Sequence, residues 1–110
     1  MTSSVDAETL TMLKDVMEDD FDTLITTYVD DVVARIPRLK AALGSQNFED
    51  LRHCAHSLKG SSSNLGALPL ADLCMQVETL AKEMCVEGVE PLLTQIETEF
   101  HQVKAQLEAF

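Results

Sequence analysis

The stretch Leu51–Gly66, LRHCAHSLKGSSSNLG, combines helical spacing with residues that a helix built only for stability would avoid. Leu51, Ala55, Leu58, Ser62 and Leu65 recur at steps of three and four, so they share one side of a helix. His56, Lys59, Gly60 and the run Ser61–Ser63 interrupt that pattern. A helix turns about 100° per residue; with His56 at the origin, Leu51, Leu58 and Leu65 fall at roughly 180–220°. Arg52, His53, Lys59, Gly60 and Ser63 lie within about 60° of His56 by the same arithmetic. One face therefore packs into a core, while the opposite face carries an imidazole, two cations, a hydroxyl and bare backbone. An exposed Gly inside a helix costs about 1 kcal/mol relative to Ala, so access to the neighbouring ring is a reason for Gly60.

The same spacing continues outward from this helix. Upstream, Phe21, Ile25, Tyr28, Val32, Ile36, Leu39 and Leu43 mark a long helix. It passes through Pro37, where a kinked but continuous helix is expected because the stripe resumes in phase. Gly44 offers a stop, and Asn47 a cap with Glu49 and Asp50 in the first turn. Downstream, Pro69 suits the first turn of a helix carrying Leu70, Leu73, Val77, Leu80 and Met84, with a stop near Gly88. Pro91 opens a last helix with Leu92, Ile96, Phe100, Val103 and Leu107. Before all of these, Val5, Leu10, Leu13 and Met17 mark a short first segment. No stretch alternates with period two. The expected fold is all-α, an antiparallel up-down four-helix bundle with a short N-terminal cap helix, spanning residues 1–110 as one domain.

Composition limits the partners. The 110 residues carry 19 acidic and 8 basic side chains, a formal charge of −11. Nucleic acid needs a basic footprint and anionic membranes repel such a chain, so neither is an expected partner. Cys54, Cys74 and Cys85 are too widely spaced for a C-x-x-C pair and read as small hydrophobes in a reducing compartment. The N-terminal segment lacks the basic and apolar regions of a signal peptide, and no apolar run is long enough to span a bilayer. A cytoplasmic location is expected. The methionines Met12, Met17, Met75 and Met84 read as core or rim filler.

Several chemistries could use the polar face. A nucleophilic imidazole needs a neutral ring near pH 7, which histidine provides. The order Lys59-Gly60-Ser61 is not that of a P-loop. His53 and His56 supply only two zinc ligands on one helix, and the serines stand on no nucleophile elbow. His101 on the last helix has no such companions.

The run Ala55-His56-Ser57-Leu58-Lys59-Gly60-Ser61-Ser62-Ser63-Asn64-Leu65-Gly66 resembles the signature of histidine phosphotransfer (HPt) domains, approximately A-H-x-L-K-G-x-[SA]-x-x-[LIV]-G. The resemblance implies a four-helix bundle that carries a phosphoryl group on His56 between aspartates of receiver domains, those of hybrid sensor kinases and of response regulators. It implies that Lys59 stabilises the phosphoryl oxygens, that Gly60 gives a partner access, and that Ser63 hydrogen-bonds the phosphoryl group or its hydration shell. Some family members place a Gln on the following helix against the ring; the matching position here is Glu78, a carboxylate that orients the ring but opposes incoming negative charge. Such a protein is a carrier with no ATP site or autokinase activity, holds no cofactor of its own, and relies on Mg²⁺ supplied by the receiver. A stand-alone monomeric relay protein is the expected form. The alternative is an adaptor bundle that binds receivers without taking phosphate.

Overall fold

The computed structural model describes residues 4–110; of the expected span 1–110, Met1–Ser3 lie outside the described residues. Five α-helices follow one another: α1 (Ala7–Met17), α2 (Phe21–Gly44), α3 (Phe48–Asn64), α4 (Leu68–Lys82) and α5 (Val89–Ala109), with a 3₁₀ turn at Glu18–Asp20. Short connections force consecutive long helices to run antiparallel. α2 packs on α3, α3 on α4, α4 on α5 and α5 back on α2, which closes a four-helix bundle with α1 as an outlying cap. Among the described residues, no helix is long and apolar enough to cross a membrane.

Local sequence accounts for the helix ends. Asn47 caps α3, its side-chain oxygen accepting from the backbone N–H of Asp50 at 3.1 Å, and Arg38 of α2 reaches over to the Asp50 carboxylate. Pro69 lies in the first turn of α4, where its missing N–H costs nothing. α2 runs unbroken through Pro37, because Val32 on one side and Leu39 on the other are both fully buried and hold the two halves in phase. α4 ends earlier than its apolar spacing predicts. Lys82 is its last residue, Met84 adopts φ 55° in the following turn and stands 64% exposed, and Gly88 instead precedes α5 with φ 86°. Of the four methionines read as core or rim, Met17 packs against the core, whereas Met12, Met75 and Met84 are exposed.

α3 and α4 form the most intimate pair. Their buried residues include small side chains, Cys54, Ala55 and Ser62 on one helix and Ala71, Cys74 and Ala81 on the other, and Cys54 and Ser62 also contact α2 at Arg35 and Tyr28. Burial pushes the Cys74 thiol up to about 12 and raises that of Cys54, which leaves both as inert core groups. Cys85 is half-buried in the turn after α4.

Ser62, fully buried, shares a 2.7 Å hydrogen bond with the hydroxyl of Tyr28, itself 5% exposed on α2. Burial pushes the Tyr28 phenol up to about 12, against the smaller opposing effect of that bond. Gly66, just past α3, has φ 80°; a Cβ there would meet the Cβ atoms of Thr9 and Asp6 at 3.0 and 3.1 Å. Its carbonyl accepts from the Asp6 N–H at 2.9 Å, so this glycine is where the cap helix α1 docks.

Two substitutions test these contacts by urea denaturation. Ser62→Ala strands the Tyr28 hydroxyl and should cost about 1–3 kcal/mol, part of which returns when Tyr28→Phe is added. Gly66→Ala should cost about 1–2 kcal/mol from the left-handed backbone alone, before the clash with α1 is counted.

Candidate functional site

His56 lies on the outer edge of the α3–α4 pair. Its side chain is 62% exposed, whereas Glu78, facing it from α4, is only 18% exposed. The close approach of the two helices lets one carboxylate bridge two groups of α3. Glu78 Oε2 is 2.7 Å from His56 Nδ1, and Glu78 Oε1 accepts from Lys59 Nζ at 2.7 Å. His56 and Lys59 are three residues apart and so share a face, which a bidentate acceptor on the neighbouring helix can span.

The electrostatics of this bridge set the state of each group. Burial works against the charge on Glu78, but the hydrogen bonds from Lys59 and His56 outweigh it and hold the carboxyl below its usual range. Glu78 is therefore ionised at neutral pH. An ionised carboxylate can only accept, so His56 Nδ1 carries the proton in this bond. The other ring nitrogen, Nε2, makes no hydrogen bond among the described residues. The arrangement is an oriented imidazole with an ammonium one turn away. Because the carboxyl is depressed, the bridge stabilises the folded chain above the ordinary carboxylate range, and this contribution is lost as the pH falls through the lowered value.

The structure brings His56, Lys59 and Glu78 together. Gly60 is exposed beside them, and a Cβ built there meets nothing within 4 Å, so nothing inside this chain requires glycine at that position. Ser63 is exposed on the same face but two turns away, about 10 Å along the axis, and makes no contact with the bridge. His53 belongs elsewhere: its ring lies 3.4 Å from Arg52 Nη2 and 3.8 Å from Glu49, not toward His56.

One feature was not legible in the sequence. On the flank of α3 away from α4, a largely apolar groove of about 310 Å³ is lined by residues that include Leu13, Met17, Leu24, Tyr28, Ser61 and Asn64. It assembles from α1, α2 and α3, and depends on α1 docking at Gly66. The apolar residues Leu13 and Met17 in the first segment were a hint, but where α1 docks was not legible.

Known proteins share both fold and site-bearing segment. The family model for the Hpt domain matches residues 23–106. The crystal structure of histidine-containing phosphotransfer protein B (HptB) from Pseudomonas aeruginosa PAO1 superposes with a TM-score of 0.95 at 37% identity, covering 99% of this chain and 95% of that one. Histidine-containing phosphotransfer protein 1 of Oryza sativa subsp. japonica is 29% identical over 103 residues, covering 91% of this chain and 70% of the relative. Histidine-containing phosphotransfer protein 2 of Arabidopsis thaliana is 29% identical over 88 residues, 77% of this chain but only 56% of the relative. The phosphotransferase RcsD of Escherichia coli K12 is 32% identical over 71 residues, which span 8% of its length. With a family model across most of its length and a phosphotransfer protein superposing on nearly all of it, this chain belongs to the Hpt domain family, whose members relay phosphoryl groups in two-component phosphorelays.

Proposed function

We propose that His56 is the phosphoacceptor, taking a phosphoryl group on Nε2 from an aspartyl phosphate of one receiver domain and passing it to the aspartate of another. The observation that carries this reading is the 2.7 Å bond from His56 Nδ1 to Glu78, which leaves the exposed Nε2 as the nucleophile. On acceptance, the Nε2 lone pair attacks phosphorus, the P–O bond to the donor aspartate breaks, and the carboxylate leaves with the electron pair. The ring becomes cationic, with its Nδ1 proton held against Glu78. Lys59 swings from Glu78 toward the phosphoryl oxygens. Gly60 leaves space for the partner's active-site loops, and Ser63, too distant to touch the ring, serves the hydration shell of the phosphoryl group.

The chain acts as a carrier in this scheme: the receiver brings its own Mg²⁺ and most of the catalytic groups, and no ATP site is needed. Receivers of hybrid sensor kinases and response regulators are the partners, and the apolar groove beside Ser61 and Asn64 offers them a contact surface. The cap helix and the bundle work as one domain, in the cytoplasm and as a monomer, so that the His56 face stays free.

Mixing the purified protein with a radiolabelled, phosphorylated receiver and Mg²⁺ tests the reading. Label should reach the wild type, be lost in acid and survive alkali, and be absent from His56→Gln at unchanged helicity. Label retained by His56→Gln overturns the assignment; binding without transfer to the wild type would instead favour an adaptor. Gly60→Ala separates fold from partner access. It should stabilise the bundle by about 1 kcal/mol in urea denaturation, while slowing receiver-dependent transfer. Unchanged transfer by that variant would remove the access role from Gly60.

A further inference from the structure

Glu78 carries more than ring orientation requires. A neutral amide at this position would also accept from Nδ1. The carboxylate instead sets a negative charge beside the place where a phosphoryl dianion must settle, and it engages the ammonium that those oxygens need, both contacts being 2.7 Å. During acceptance both effects are unfavourable. During discharge both are favourable.

Resting on His56 as the phosphoacceptor, we infer that Glu78 is a positioning residue for discharge: it keeps a proton on Nδ1 of the phosphorylated ring and so makes the phosphohistidine short-lived and strongly donating. The step balances as follows. With phosphorus on Nε2 and hydrogen on Nδ1 the ring is cationic. The P–Nε2 bond breaks and its electron pair returns to Nε2, while a new P–O bond forms to an oxygen of the acceptor, either a receiver's aspartate carboxylate or water that releases its proton to solvent. The ring departs as neutral imidazole with its proton still on Nδ1 against Glu78, the same hydrogen bond found in the present structure. Without that proton the leaving group would be imidazolate, a much stronger base and a much poorer leaving group.

The surroundings leave this task to Glu78. From α3 the charged and titratable groups on this face are Lys59, with Arg52 and His53 one turn toward the N-terminus. From α4 they are Glu78 and, one turn on, Lys82. Among the described residues, α2 and α5 contribute no hydrogen bond or ion pair to His56, Lys59 or Glu78. The acid within reach of the ring is thus a single carboxylate amid cations, and at 18% exposure it is well shielded from competing water.

The experiment loads the protein with phosphoramidate, a small donor whose own P–N bond breaks to release ammonia, so no partner is required. Decay of the phosphohistidine is followed by ³¹P NMR from about pH 5 to 9 in wild type, Glu78→Gln and His56→Gln, across the range where imidazoles titrate. The phosphohistidine of Glu78→Gln should live roughly three- to tenfold longer near neutral pH, and its decay should accelerate only at lower pH than in wild type. Far-UV circular dichroism checks that the bundle is intact in each variant. Superimposable decay profiles, or faster decay in Glu78→Gln, overturn the inference. Absence of a phosphohistidine from wild type, or its equal formation in His56→Gln, instead overturns the reading of His56 on which the inference rests.

Discussion

The close approach of α3 and α4 is the constraint on which the site depends. Packed helices stand about 8–10 Å apart, their separation set by the side chains between them. Here α3 and α4 pack more closely than any other pair, and their buried residues include Ala55, Ser62, Ala71 and Cys74, with Ser62 bonded to the Tyr28 hydroxyl of α2. That spacing allows the short side chain of Glu78 to reach both His56 and Lys59 while staying mostly shielded. The fold and the chemistry are thus coupled through helix packing rather than through a flexible loop.

The bridge also explains how an exposed histidine ring is held in one orientation. Free in water, a neutral imidazole exchanges between two tautomers and rotates. In this chain a buried-side carboxylate fixes the proton on the inner nitrogen, and the outer nitrogen faces solvent at a place where Gly60 leaves the surface low. The remainder of the surface is strongly acidic, with a formal charge of −11 for the chain. Arg52 and Lys59 make the His56 face a local exception to it. A partner presenting a phosphorylated aspartate would meet cations at this face and repulsion on most others.

Much of this was legible in the sequence, for identifiable reasons. The leucine spacing in Leu51–Gly66 placed His56 opposite the core, and Asn47 and Pro69 marked helix starts because capping and the first-turn tolerance of proline are local effects. Gly66 read correctly as an end, but its contact with Thr9 and Asp6 depends on a segment more than fifty residues away along the chain. Met84 was misplaced because its spacing continues the stripe of α4, whereas the chain leaves the helix at Lys82 and turns with a positive φ that spacing does not encode. The motif offset pointed to Glu78 as a neighbour of the ring. That the same carboxylate also holds Lys59 is a matter of interhelical distance, which no single helix records. The groove between α1, α2 and α3 was hidden for the same reason.

The proposed chemistry turns on which nitrogen of which histidine carries phosphorus. Long-range ¹H–¹⁵N correlation of the phosphorylated protein, with ³¹P coupling to the ring nitrogens, reads this directly. The geometry predicts phosphorus on Nε2 of His56 with hydrogen retained on Nδ1. Phosphorus on Nδ1, or on His53 or His101, would contradict it, because the Glu78 bridge could not then be what orients the reacting ring.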